Sequence, residues 1–269
     1  MNATWQALSR EASLAAEQMG MGVTVLAKAN YAHHAHYPQA FFALSIGMER
    51  AAKLALLLEH AIRNEGHFPA SRQLRDYGHN LKNLLRDVDQ IDVGDYKLPA
   101  TPIHVAILDT LSEFAMNITR YYNLDFVTNA PSVQSREEPV AKWFSTVIRP
   151  AYDQCVPARM KHQVEQNAML IERMAGSFMS VMHHAEDGSE LTSARSASMQ
   201  AGVLDAAMPH VRLHILQIVR FLGSVLGEQG YRAHAAGVQD VPYLSEYFAI
   251  FNNDDATLKS RKAWSIYNP

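Results

Sequence analysis

No proline interrupts the chain between Pro38 and Pro69, and this stretch constrains the fold more than any other feature. Pro38 suits the first position of a helix, where its missing N–H would have no partner and its φ is already helical. The run PQAFFALSIGMERAAKLALLLEHAIRNEG, closed by the Gly66-His67-Phe68-Pro69 break, predicts one helix of about 27 residues, roughly 40 Å long at 1.5 Å per residue. Phe41, Leu44, Met48, Ala51, Ala55 and Leu58 fall on one side, and Leu54, Leu57 and Ala61 widen the apolar stripe enough to face several neighbours. Such a helix belongs at the centre of a bundle. It does not read as a membrane span, which needs roughly 20 predominantly apolar residues, because Glu49, Arg50 and Lys53 break its most apolar part.

Helical spacing dominates the remainder. A second helix is expected to open at Asp76 or Gly78 and to run from His79 to Val88, with Leu81, Leu84, Leu85 and Val88 as its apolar face. The two segments form a helical hairpin. Further helices are expected at 3–19, 24–35, 102–122 and 137–149, punctuated by Pro99, Pro102, Pro131, Pro139 and Pro150. Pro150 to Pro157 marks an internal boundary. Beyond it, Val164, Ala168, Ile171, Ala175, Phe178 and Met182 trace one face of a helix over 158–185, after which HHAEDGSELTSARS loops out. Pro209 opens a last long helix to Gly227, apolar nearly all round except for a narrow stripe of His210, His214, Gln217, Arg220 and Ser224. The tail, with Lys259, Arg261 and Lys262, is short and basic. No alternating apolar and polar run bounded by turn residues predicts a strand, and no Asn-Gly or Asp-Gly turn joins β-branched runs.

Composition narrows the function classes. With 48% apolar residues in 269, the chain can bury a full core. Its single cysteine, Cys155, excludes an intrachain disulfide and so a disulfide-stapled scaffold. The stretch MNATWQALSREASLAAEQ has no basic segment leading into an apolar run, so a cytoplasmic setting is expected. A net charge of −3 gives no global attraction to nucleic acid, and any RNA contact would need a local patch.

The stretch ALSIGMERAAKLALLLEHAIRNEGHFPASRQLRDYGHNLKNLLRDV carries Glu49 and Lys53 on its first helix and Gly78, His79, Asn80, Leu81, Leu84 and Leu85 at its second. In this order and spacing it resembles the HEPN family. The resemblance is strongest over residues 41–88, about a sixth of the chain in detail, and would extend to ITRYYNLDF at 118–126. It implies a helical bundle that dimerises. In many members it also implies a metal-independent ribonuclease, in which an Arg a few residues ahead of a His lines a cleft formed across the dimer. A guanidinium can clamp the scissile phosphate, and an imidazole of near-neutral pKa can move the proton as the ribose 2′-OH attacks. Arg72, with six residues between it and His79, fits the spacing; Arg75, with three between, departs from it and is kept as a candidate beside it. In the first turn of its expected helix, His79 would be kept neutral by the helix dipole. The alternative is that His79 caps and packs, as in members that do not cleave RNA.

Other constellations are weaker. Arg120 could reach a phosphate and Tyr121 could stack on a base, with Asn80 as a further RNA contact; an Arg at a helix C-terminus also simply satisfies the last carbonyls. Arg63, Arg72, Arg75, Lys82 and Arg86 are nearly balanced by Glu65, Asp76, Asp87 and Asp89. Among the histidines only His210 and His214 have helical ligand spacing, without the general-base Glu of His-Glu-x-x-His, and no Glu-x-x-His occurs, so no metal or cofactor is expected. Cys155 has no partner motif, and neither a Gly-x-Ser-x-Gly elbow nor a Walker phosphate loop is present.

The sequence thus reads as all-α: a HEPN-like helical bundle over 1–155 and a C-terminal helical extension over 156–269 packed on it. The function expected from the resemblance is an RNA-directed protein, a metal-independent endoribonuclease of toxin or phage-defence type that acts as a homodimer. The alternative is a non-catalytic α-helical module that binds a partner protein or a nucleotide. Ligand binding along the His210 to Ser224 stripe is a third possibility, and it requires a pocket there.

Overall fold

A computed structural model of the chain describes residues 2–266, so Met1 and the last three residues of the expected extension lie outside it. It is all-α, with 69% helix and 2% strand. The first helix, α1 (Ala3–Leu26), is capped by Asn2, whose side chain accepts from the Trp5 N–H at 2.9 Å. The helix expected over 3–19 runs on to Leu26, because Gly20 and Gly22 are contact points rather than breaks, and the one expected over 24–35 does not form, residues 27–35 being turns and bends. A Cβ at Gly22 would lie 2.6 Å from Leu44 Cγ, and one at Gly20 would lie 2.2 Å from the Trp264 carbonyl oxygen.

The long helix expected from Pro38 is α2 (His36–Arg63), with Pro38 in its first turn. Gly22 meets Leu44, while Gly47 meets Met19 and Ala15, so the residue numbers run in opposite senses and the two helices are antiparallel at close approach. Phe41, Leu44, Met48, Ala51, Ala55 and Leu58 are all fully buried. The expected inward face of α2 is therefore the observed one.

A short unpredicted helix, α3 (Ser71–Asp76), precedes α4 (Leu81–Asp89), whose Leu81, Leu84, Leu85 and Val88 enter the core. α5 (Pro102–Ala115) stops seven residues short of expectation because Asn117 takes a left-handed φ of 60°. A separate α6 (Tyr122–Val127) follows. Next come α7 (Pro139–Trp143), a π-helical turn over Phe144–Ile148 and α8 (Arg149–Cys155). These are continuous, so Pro150 does not end the helix as expected. Proline has no N–H to donate, and the wider turn just ahead of it rearranges the backbone bonding it would otherwise interrupt.

α9 (Ala158–Ala175) ends at Gly176, well short of residue 185. Its expected inward face is corrected as well: Ala168 is buried, but Ile171, Phe178 and Met182 are exposed. The presumed loop holds a two-residue hairpin, β1 (His183–His184) against β2 (Glu190–Leu191), turned by Asp187 and Gly188 with φ 83° at the glycine. No β-branched residue announces it.

The largest correction is α10 (Ala194–Ala235), 42 residues long with Pro209 in its interior rather than at its start. The carbonyl that Pro209 leaves without an N–H partner belongs to Asp205, which is exposed and can be solvated. Tyr37 donates to Glu186, which also accepts from Gln200; near the other end, Gln229 and Arg232 donate to Glu59. The order of these ties makes α10 parallel to α2. Two short helices, α11 (Ser245–Phe248) and α12 (Asp255–Ser260), complete the chain. The basic tail is tied in: Trp264 is buried, stacks on Phe251 at 5.8 Å, and donates its backbone N–H to Thr24 Oγ1 at 2.9 Å. One hydrophobic cluster spans Leu8 to Trp264.

Among the described residues no helix is long and apolar enough to cross a membrane.

Candidate functional site

The outer side of α2, with Leu74 of α3 and His79 of the turn before α4, shapes an open cleft of about 710 Å³ against α1, the end of α5 and Arg120. Glu49, Arg50 and Lys53 come from α2, Glu49 and Lys53 one turn apart, and Glu11 comes from α1. Lys53 Nζ and His79 Nδ1 both lie 2.9 Å from the same oxygen, Glu49 Oε1. Arg50 Nη1 reaches both carboxylate oxygens of Glu11, at 2.9 and 2.8 Å.

His79 is placed by its turn. Gly78 holds a left-handed φ of 67°, which glycine adopts without steric cost. Asn80 then caps α4, its side-chain oxygen accepting from the Asn83 N–H at 3.1 Å, so α4 starts at Leu81. His79 thus precedes the cap instead of standing in the first turn, and the helix-dipole argument does not apply to it. Its side chain is 68% exposed, and with Nδ1 held by Glu49 the far nitrogen, Nε2, is left to the solvent.

The structure does not bring the expected arginines to this histidine. Arg72 and Arg75 stand exposed on α3 and do not line the cleft, to which α3 contributes Leu74. Arg120 does line it. Its guanidinium lies 5.2 Å from the Phe42 ring centre and 5.3 Å from that of Phe114, and Nη2 donates to the Phe114 carbonyl, in the last turn of α5, at 3.3 Å. Its buried Nε has no hydrogen-bond partner. Arg120 therefore satisfies a helix-end carbonyl and still faces the cleft. Tyr121, 55% exposed, lines the neighbouring cleft instead.

Sequence reasoning missed Arg50 and Glu11 as members of the site. The adjacency of Arg50 to Glu49 was the one available signal for the first; the pairing of Glu11 depends on how α1 packs, which no local pattern reports.

The polar stripe of α10 also has a pocket. His214, Gln217, Arg220 and Ser224 line a cleft of about 660 Å³ with His104 and Tyr96, whereas His210 does not line it. Asp255 Oδ2, an acceptor only, takes a hydrogen bond from Gln217 Nε2 at 2.9 Å. That turns Gln217 Oε1 toward His104 Nε2, also at 2.9 Å, which must carry the hydrogen. His104 Nδ1 then accepts from Thr101 Oγ1 at 2.6 Å, and His214 Nδ1, 3.3 Å from His104 Nε2, faces it as an acceptor. Burial, then the neighbouring His214, lowers the His104 pKa to about 4, and burial lowers that of His214. Both rings are neutral at pH 7. Cys155, which had no partner in the sequence, has its Sγ 4.0 Å from His214 Nε2.

Among the described residues, no group of three or more His, Cys, Asp or Glu side chains is placed to hold a metal ion. Neither a family model, nor a curated protein, nor a solved structure matches the chain. The functional reading therefore rests on the geometry of these clefts and on the resemblance of residues 41–88.

Proposed function

We propose that the chain is a HEPN-like, RNA-directed protein of the cytoplasm, a metal-independent endoribonuclease of toxin or phage-defence type that works as a homodimer. The observation that carries this reading is the shared carboxylate oxygen of Glu49, which holds His79 by Nδ1 in an open cleft beside Arg50, Lys53 and Arg120. A carboxylate on one imidazole nitrogen fixes the ring and its tautomer, leaving the other nitrogen free to accept a proton.

The reaction follows from those positions. His79 Nε2 takes the proton of a ribose 2′-OH as its oxygen attacks the adjacent phosphorus. The P–O5′ bond breaks, giving a 2′,3′-cyclic phosphate, and the 5′ oxygen leaves with a proton from water or from a protonated His79 of the second copy. Glu49 stabilises the imidazolium formed on the way, while Arg120 and Lys53 offset the charge on the phosphoryl oxygens. Arg120 thus takes the clamping role that spacing assigned to Arg72, with Arg75 beside it.

The test is cleavage of purified single-stranded RNA in chelator. His79→Ala is expected to lose at least about a hundredfold in rate while its circular dichroism stays native, and the wild-type product is expected to end in a cyclic phosphate. Wild-type protein that cleaves no RNA sinks the reading.

A second reading is supported by Arg72 and Arg75 standing away from His79 and by the pairing of Arg50 and Lys53 with carboxylates. In it the hairpin is a non-catalytic module that binds a partner protein or a nucleotide. Binding that survives His79→Ala, with no cleavage by either form, would select it.

A further inference from the structure

Arg120 belongs to two clefts at once. On its far side from Glu49 and His79 lies an aromatic cleft of about 460 Å³, lined by Phe41, Phe114, Thr119, Tyr121, Tyr122 and Glu138 among others. The wall between the two is one layer thick, because Phe41 faces the aromatic cleft and its neighbour Phe42 the other, and Phe114 and Ala115 divide in the same way. A cavity of this size, with aromatic walls and a few convergent polar groups, has the character of a small-ligand site.

Two polar residues of its lining differ in what they offer, Thr119 being enclosed and Glu138 facing the cleft. Thr119 is 3% exposed, and its buried Oγ1 has no hydrogen-bond partner. That hydroxyl is enclosed by the chain itself, so an occupant of the cleft does not reach it. Glu138 caps α7 by accepting from the Ala141 N–H at 2.7 Å while its carboxyl lines the cleft, and burial pushes its pKa up. A ligand that donates hydrogen bonds to this carboxylate would offset its desolvation.

Resting on the RNA reading of the neighbouring cleft, we propose that the aromatic cleft is a base subsite that takes one unstacked guanine of single-stranded RNA, next to the phosphate held at Arg120. Tyr121 lies over the base, since an exposed aromatic at the rim offers a stacking face. Glu138 reads the edge where guanine carries N1–H and N2–H side by side, two donors that match one carboxylate. Adenine presents an acceptor at N1, uracil one donor between two carbonyls, and cytosine a single amino group. The enzyme would then cut beside guanines.

Two measurements on the full chain separate this subsite from the reading it rests on. In the first, GMP, AMP, CMP and UMP are titrated to millimolar levels and followed by tyrosine fluorescence and by NMR. GMP is expected to bind at least about tenfold more tightly than the others, with Tyr121→Ala weakening it by about tenfold and Glu138→Gln, which keeps an oxygen to cap α7, removing the preference for GMP. Absence of mononucleotide binding, equal binding of all four, or binding unchanged in both variants overturns the subsite. In the second, the cleavage sites of the chelator assay are mapped. Cleavage without regard to guanine overturns the subsite and leaves the endoribonuclease standing. GMP binding sensitive to Tyr121 and Glu138, with no RNA cleavage, overturns the endoribonuclease and leaves the subsite.

Discussion

Glu49 and His79, thirty residues apart in the chain, meet through one carboxylate oxygen, Nδ1 to Oε1 at 2.9 Å, and Lys53 closes on the same oxygen from the next turn of α2. Glu49→Gln keeps an oxygen for His79 Nδ1–H but removes the charge that stabilises the imidazolium formed when the ring accepts a proton. RNA cleavage is expected to fall by about 10- to 100-fold, with the circular dichroism native, because the amide oxygen still accepts from both donors. Cleavage equal to wild type would remove Glu49 from the mechanism.

The parts of this site that were legible and those that were not differ in a physical way. Local rules gave α2, its inward face and the i,i+4 pair of Glu49 and Lys53, because helical periodicity needs nothing beyond the chain itself. They failed at Pro209 and Pro150, where a proline normally read as punctuation sits within a helix that packing sustains. They failed again at Gly20 and Gly22, which read as a break but serve close approach. The approach of Arg120 rather than Arg72 to the His79 cleft depends on how the segment after α5 folds back, which follows from the left-handed Asn117 and not from any spacing. Thr119 and Glu138 carried no signal at all, since a threonine and a glutamate acquire meaning there only through burial.

Gly47→Ala tests the close approach of α1 and α2. Alanine favours a helix over glycine by about 1 kcal/mol, yet a Cβ here would lie 2.9 Å from the Met19 backbone nitrogen and 3.0 Å from the Ala15 carbonyl oxygen. Backbone atoms cannot rotate away, so the helices must separate. A net destabilisation of about 1–3 kcal/mol is expected, measured as a lower urea midpoint with unchanged m-value. A gain in stability would mean that the helices are not held at this distance.

Glu59 joins α2 to α10 with little access to solvent, its side chain 10% exposed. Arg63 Nε donates to it at 2.5 Å, Arg232 Nη1 at 3.0 Å and Gln229 Nε2 at 3.3 Å. Glu59→Ala would leave those donors without their acceptor, and Gln229 is itself fully buried. A loss of about 3 kcal/mol is expected, visible in chemical unfolding. Glu59→Leu, which restores volume but not acceptors, should recover only part of it. Full recovery would show that packing, not the charge cluster, joins the two helices.

Acid should loosen the contact between α5 and α10 before most carboxylates protonate. His104 titrates near 4 in the folded chain against 6.5 for the free group, because burial and then His214 disfavour its charged form. Below pH 6.5 the unfolded chain therefore binds a proton that the folded chain does not, so stability is intact above 6.5 and declines as the pH falls toward 4. From that displacement, His104 alone is expected to cost about 2 kcal/mol at pH 5 and about 3 kcal/mol at pH 4. His214, lowered by burial, adds in the same direction. Urea unfolding at pH 7.5 and pH 5 measures the loss, and His104→Gln, which cannot take up the proton, is expected to shrink the difference by about 2 kcal/mol. If the variant keeps the full pH dependence, the protons are taken up elsewhere and the His104 to Asp255 chain does not govern the acid response.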